Sequence, residues 1–496
     1  MTIRKAVLLA AVALSGCTVG PNYRPPAVDA PAAFVEPQPA PGAAVDPATW
    51  WRAFGDPVLD GLVTRALAGN PDMAAAASRV RQARLGEIAA RAQGLPTLGA
   101  TGGASHVEFS KNAGFASLAQ LFSGASGGGT SGGASNTGIA LPGSGITTFS
   151  AGFDASWEID IFGGVRRGVE AARARTEAAE WSRRDAAVTL AAEVAQGYFA
   201  LRLDQVQAAV IAQEIDRQRR ALGISGEIAR AGLVPPIDVT RQRGRITDAE
   251  ARLAPVQGDA AVRVHALAVL LGATPEALAT ELSAPSAVAA GLPVVPAGLP
   301  SDLLRRRPDI RAAERQLAAA NADIGVAVAD LYPRFSLTGV AELISTSLAT
   351  LFERDSLQLT GSGAVTFPLV DFGRRRATVE SRREDREQAY LRYRSTVLVA
   401  LRDVEDALAR LEAERRRHAA LERALADQQT SANATLAQYR TGFVAQDSLL
   451  NAEAQVLSAR EQLATSDADL RQQTAALFKA LGGGWDTTPV PARPSR

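Results

Sequence analysis

Residues 163–271 open on Gly163-Gly164-Val165-Arg166-Arg167, turn at Arg230-Ala231-Gly232-Leu233-Val234-Pro235-Pro236 and close on Val269-Leu270-Leu271, and the chain then says the same thing a second time. Moving 210 positions along carries Phe162-Gly163 onto Phe372-Gly373, Gly232 onto Gly442, and Leu271-Gly272 onto Leu481-Gly482. Val239, Ile246, Leu253, Ala260 and Leu267 map onto Leu449, Val456, Leu463, Leu470 and Leu477. On the preceding segment Ala187, Ala191, Val194, Tyr198 and Leu201 map onto Val397, Leu401, Val404, Leu408 and Leu411. A core residue every seven positions keeps one seam on a partner helix only if the helices supercoil left-handedly. The chain therefore carries two copies of one long antiparallel helical hairpin, over residues 163–271 and 373–481. Each long arm lacks proline over roughly 67 residues, enough for about 100 Å of helix. Gly232 and Gly442 supply the left-handed residue at which each arm reverses.

Outside the hairpins the repeat continues. Asn70-Pro71-Asp72 predicts a capped helix running to about Gly94, and Arg307-Pro308-Asp309 predicts its twin to about Leu331. The period then changes to two. Phe149, Ala151, Phe153, Ala155, Trp157 and Ile159 alternate with Thr148, Ser150, Asp154, Ser156, Glu158 and Asp160, which predicts a strand with one apolar face. Residues 357–369 repeat it, with Leu357, Leu359, Val365, Phe367 and Leu369 on one face and Gln358, Thr360, Ser362 and Thr366 on the other. Phe335, Leu337 and Leu343 mark a third strand and residues 97–109 a weaker fourth. Two β-hairpins result, over residues 97–160 and 334–369. The first has a long loop rich in glycine, serine and alanine.

An outward apolar face over a polar one is the transmembrane-barrel pattern, but the smallest such barrel has about eight strands. Open edges in lipid would leave backbone groups unpaired. Strands of this chain that span a membrane must therefore share a barrel with other chains; the alternative is a small soluble sheet with one buried face.

The bulk composition narrows the function further. A net charge of +1, with both signs spread along the helices, gives no basic field for nucleic acid. His106, His265 and His418 are scattered, and no metal-ligand spacing or phosphate loop appears, so neither an enzyme nor a cofactor is expected. Residues 1–16 read as a signal peptide, charged at Arg4 and Lys5 and apolar from Ala6 to Leu14. Leu14-Ser15-Gly16-Cys17 is similar to the bacterial lipobox, with the chain's single cysteine where a lipidated first residue belongs; an ordinary cleavage site is the alternative. Thr18, not an aspartate, follows it and resembles an outer-membrane sorting signal.

Taken together, Cys17-Thr18-Val19-Gly20-Pro21-Asn22-Tyr23, Trp50-Trp51, the run from Leu299 through Arg307-Pro308-Asp309-Ile310, Asp371-Phe372-Gly373 and Tyr439-Arg440-Thr441-Gly442 resemble the TolC-like outer-membrane factors, of the NodT-type efflux lipoproteins. The resemblance implies a homotrimer whose four strands per chain build one twelve-stranded β-barrel in outer-membrane lipid, continuous with a periplasmic α-helical barrel. It implies an exit duct for small molecules such as drugs. The duct's partners would be a periplasmic adaptor (membrane fusion) protein and a proton-driven inner-membrane transporter of the resistance-nodulation-division type. The expected divisions are residues 17–70 as a lipidated linker and equatorial segment, 71–272 and 302–482 as the two repeats, 273–301 as an equatorial connector and 483–496 as a tail.

In many relatives a Leu-Leu-Asp-Ala-Gln-Arg stretch after the second turn puts an acidic ring at the closed periplasmic end. This chain has Leu449-Leu450-Asn451-Ala452-Glu453-Ala454, so the aspartate and arginine of that lock are replaced by Asn451 and Ala454. Asp447 lies one helical turn before Asn451 and could supply the carboxylate instead, or could be a solvated charge at a helix start. Asp238 and Arg241 hold the comparable place in the first copy, and Tyr439 precedes the turn. Gly232, Leu233, Gly442 and Phe443 match the tips at which relatives meet the adaptor. Leu233 and Phe443 are apolar where helix reversal alone needs only the glycines.

Overall fold

The computed structural model describes residues 18–27, 31–36, 45–108, 145–232, 235–283, 291–295 and 300–485. Helix α1 (Pro57–Gly69) leads into α2 (Pro71–Ala92), strands β1 (Thr97–Glu108) and β2 (Gly145–Ile159), and helices α3 (Gly164–Arg230) and α4 (Pro236–Leu270). The second copy follows as α5 (Pro308–Ala329), β3 (Arg334–Ser345), β4 (Leu357–Thr366), α6 (Arg374–Arg440) and α7 (Gln446–Ala480). Equivalent long helices have equal lengths, 67 residues for α3 and α6 and 35 for α4 and α7. The chain is thus mainly helical with one four-stranded sheet.

Two compact units can be distinguished. The first comprises residues 1–22, 87–171 and 321–384 and contains the sheet. Its strands run antiparallel in the order β1-β2-β3-β4. The register decides what each face carries. Leu98 pairs with Ala155, Phe153 with Ala341, Trp157 with Leu337, Phe335 with Val365 and Leu343 with Leu357, so over these positions one face is apolar from edge to edge, while His106, Glu108 and Thr147 stand on the same face farther along β1 and β2. Ser150, Asp154, Ser156, Ser336, Thr338, Glu342, Thr360 and Ser362 share the opposite face, where Val340, Ile344 and Ala364 are the apolar members of β3 and β4. A slip of one residue would interchange the faces, so the alternation fixes the pairing. Phe153, Leu337, Leu359 and Val365 are nevertheless exposed in the single chain.

Strand β4 stops at Thr366, three residues short of the expected Leu369. Pro368 has no N–H to give the ladder, so Phe367 and Leu369 lie beyond it. Phe372, fully exposed, takes a left-handed backbone (φ 52°) at the passage into α6.

The second unit comprises residues 23–86, 172–320 and 385–496 and holds the main core. Trp50 is completely buried, stacking on Phe478 with ring centroids 5.1 Å apart, and Trp51 and Phe54 pack beside it. Asp56 is buried too, yet fully used: it accepts from the amides of Val58 and Leu59 to start α1, and from the Tyr198 hydroxyl at 2.5 Å. Such pairing is what makes a buried carboxylate tolerable. The seven-residue seam appears in Ile246, Leu267, Leu470 and Leu477, all buried, while Ile211 and Ile215 of α3 close on Ile246 and Ala249 of α4.

Candidate functional site

At the reversals Gly232 has φ 74° and Gly442 φ 78°, with open space where a Cβ would stand. The second turn closes by Gly442 N–H donating to the Tyr439 carbonyl and Phe443 N–H to that of Gln438, at 3.0 and 2.9 Å. This satisfies carbonyls that a helix end would otherwise orphan. Phe443 is 83% exposed. Leu233 lies outside the described residues.

Among the gate candidates the structure makes pairs. Asp238 accepts from Arg241 at 3.4 Å within α4. Asp447 accepts from Arg245 at 3.3 Å, joining α7 to α4. Asn451 is exposed and Tyr439 half-buried. The best-connected residues near this end are others. Arg217 of α3 holds Glu214 through two nitrogens and forms an ion pair with Glu453 of α7. The Gln218 amide donates to Glu214 at 2.5 Å, and the Gln242 amide of α4 donates to both the side chain and the carbonyl of Gln218. One polar chain therefore ties α3, α4 and α7. Glu214, Arg217 and Glu453 line a cavity of 790 Å³ with Arg220, Asn433 and Arg460.

Glu453 stands in the stretch quoted for the gate, but its partner was not legible. The available signal was Glu214 and Gln218, polar residues set one turn apart on the side that Ile211 and Ile215 bury.

The segment following Cys17 is held as part of the fold, though Cys17 itself lies outside the described residues. Val19 N–H donates to the Phe162 carbonyl at 3.1 Å. Arg167, almost wholly buried, donates to the carbonyls of Val19 and Gly20 and to Asn22, and pairs with Glu170. Gly20 crosses Gly325 so closely that a Cβ on it would lie 2.5 Å from the Gly325 Cα. In the second unit the Tyr23 hydroxyl donates to Glu314 at 2.5 Å. Burial alone would raise the Glu314 carboxyl, but hydrogen bonds from Arg315 and Tyr23 hold it below its ordinary value, while burial and that carboxylate push the Tyr23 hydroxyl up.

Among the described residues there is no cluster of side chains able to hold a metal ion, and no single helix is long and apolar enough to cross a membrane.

A family model described as outer membrane efflux protein matches residues 62–273 and 299–483. The chain is 30% identical to the pyoverdine export outer membrane protein OpmQ of Pseudomonas aeruginosa, over 88% of each chain. It is 30% identical to nodulation protein T of Rhizobium leguminosarum bv. trifolii, over 95% of this chain and 96% of that one. Among solved structures, the outer-membrane channel OprN superposes with a TM-score of 0.82 at 30% identity, covering 95% of this chain and 100% of that one. A crystal structure of CusC superposes with a TM-score of 0.77 at 26% identity, over 94% and 100% of the two chains.

Proposed function

This chain belongs to the outer membrane efflux protein family and is an outer-membrane channel of an efflux system, and from that premise we propose that three copies close one barrel and act as the exit duct of a tripartite pump. The observation that carries the closure is the sheet. Its apolar face runs across all four strands, and both edge strands, β1 and β4, have one unpaired side among the described residues. In lipid each unpaired backbone group costs several kcal/mol, so the edges must meet those of other copies. Three copies of four strands make twelve, an even number inside the range that membrane barrels use.

On this reading the polar face lines a wet lumen, and the duct lowers the barrier to crossing the outer membrane without chemistry of its own. A periplasmic adaptor engages the tips at Gly232-Leu233 and Gly442-Phe443, and a proton-driven inner-membrane transporter loads small molecules such as drugs. The polar chain through Arg217, together with the Asp447–Arg245 pair, holds the helices of the periplasmic end in their closed arrangement. Cys17 carries the lipid anchor, and the strap from Thr18 to Asn22 is what ties it to the sheet-bearing unit. A deletion strain tests the function. It becomes more susceptible to a subset of toxic small molecules, and the plasmid-borne gene restores resistance; unchanged susceptibility together with loss of a secreted polypeptide or polysaccharide would contradict small-molecule efflux.

A further inference from the structure

The chain passes from sheet to long helix twice, and the two passages are finished differently. In the first, Phe162 is half-buried and stacks on Tyr332 with ring centroids 4.6 Å apart. The Phe162 carbonyl accepts from the Val19 amide at 3.1 Å, and a Cβ on Gly163 would lie 2.8 Å from the Thr18 methyl. Arg166 is paired with Asp160, and Arg167 is held by Val19, Gly20 and Asn22. The strap from Thr18 to Asn22 thus covers this passage.

The second passage has no such cover among the described residues. Phe372 stands where Phe162 stood, yet its ring is fully exposed and its backbone is left-handed, which a bulky side chain rarely adopts. No atom would lie within 4 Å of a Cβ on Gly373. Leu369 and Val370 are exposed as well. Beside them a cavity of 440 Å³ is lined by Leu331, Leu369, Val370, Phe372, Arg375 and Arg376. Asp371 already accepts from the amides of Gly373, Arg374 and Arg375, so the start of α6 is capped from within. Arg375 donates to the Asp330 carbonyl at 2.8 Å. The guanidiniums of Arg374 and Arg376, by contrast, have no hydrogen-bond or ion-pair partner among the described residues.

We propose that this second passage is a binding site for an anionic phospholipid of the leaflet next to the long helices. Leu369, Val370 and Phe372 receive the acyl and glycerol part, and Arg376, in the cavity wall, pairs with the phosphate. An arginine whose stem runs along apolar surface while its head meets a phosphate suits the boundary between lipid tail and headgroup. Phe367 and Leu369 prolong the apolar period of β4, so the site continues the face of the sheet that meets lipid. A headgroup without an amine of its own leaves the whole phosphate charge to Arg376, so an anionic lipid binds more tightly than a zwitterionic one. The inference requires the sheet to lie in the membrane, but no particular number of copies.

The test uses the full-length mature protein, stripped of loosely held lipid in detergent and titrated with phosphatidylglycerol or phosphatidylcholine, with native mass spectrometry counting the lipids retained. The wild type is expected to hold phosphatidylglycerol several-fold more tightly than phosphatidylcholine. Phe372→Ser is expected to weaken retention of both. Arg376→Gln, at an exposed position that leaves the fold intact should the first variant assemble poorly, is expected to abolish the preference for phosphatidylglycerol. Excess inorganic phosphate is expected to leave the lipid bound. A wild type that holds the two lipids alike, variants that retain phosphatidylglycerol as the wild type does, or displacement by inorganic phosphate alone would overturn the inference. So would a wild type that takes up neither lipid while Phe372→Ser falls apart into single chains, which would assign this surface to a second copy.

Discussion

Asn70 and Arg307 hold the same station in the two copies of the repeat: the Asn70 side-chain amide donates to the Leu270 carbonyl at 2.9 Å, and Arg307 donates to the Ala480 carbonyl at 3.0 Å. Each carbonyl is the last of a return helix and would otherwise have no partner. The same side chains serve the helix that follows them. The Asn70 oxygen accepts from the amides of Asp72 and Met73, and Arg307 grips Asp309 at 2.7 Å and also reaches Asp403.

Asn70→Ala removes a cap and strands the Leu270 carbonyl in one step. It should cost about 2 kcal/mol, the sum of a typical N-cap and one buried hydrogen bond. A urea unfolding series on detergent-solubilised protein checks this; Asn70→Asp, which keeps the cap but not the donor, should fall between the two.

Near the helix reversals the structure ranks the candidate links. The Asp447 and Arg245 side chains are 63% and 36% exposed, and an ion pair in that setting contributes at most about 1 kcal/mol. Arg217 is less exposed and its partner Glu214 is buried. Arg217→Ala should therefore raise the resting single-channel conductance more than Arg245→Ala or Asp447→Ala, both of which should raise it slightly. Equal conductance in all three variants and the wild type would remove the polar chain from the gate.

The second tip separates structure from partner binding. Space at Gly442 is open, so Gly442→Ala suffers only the left-handed backbone penalty of about 1 kcal/mol and should still form trimers. Phe443→Ser removes an exposed ring and leaves the fold unchanged. Co-purification with the cognate adaptor should fall several-fold for Phe443→Ser while heat-modifiable trimers persist; loss of the trimers would assign the tip to folding alone.

Asp185 gives a pH dependence with a definite sign. Burial first, and the neighbouring Asp309 second, raise its carboxyl above the ordinary value, against the pull of Arg307 and Lys479. The folded state then holds a proton that the unfolded state has already lost, so this group's contribution to stability is full in acid and lost as pH rises through the folded value. Asp185→Asn should raise the urea midpoint at pH 7 and leave it nearly unchanged at pH 3. A variant destabilised at pH 7 would mean that the ionised carboxylate is needed there.

Much of this was legible because the chain writes it twice. Glycines at 232, 272, 442 and 482 punctuate equal helices, and the Phe149 to Ile159 alternation assigns the two faces of the sheet. The end of β4 was misjudged because Phe367 and Leu369 continue the period past a proline that cannot continue the ladder. The links of the periplasmic end were harder to read. Arg217 and Glu453 lie on helices far apart in sequence, and only three-dimensional packing pairs them. The buried Arg167 that clasps Val19, Gly20 and Asn22 was hidden for the same reason: in sequence it is one more arginine at the start of a charged helix.

A channel built from this sheet requires several copies to complete one barrel around its polar face. Native mass spectrometry of the protein released from outer membranes in mild detergent measures this directly. Three chains per particle, persisting on dilution, is the predicted result. A particle of one chain, with its apolar sheet face solvated and no loss of structure, would contradict it.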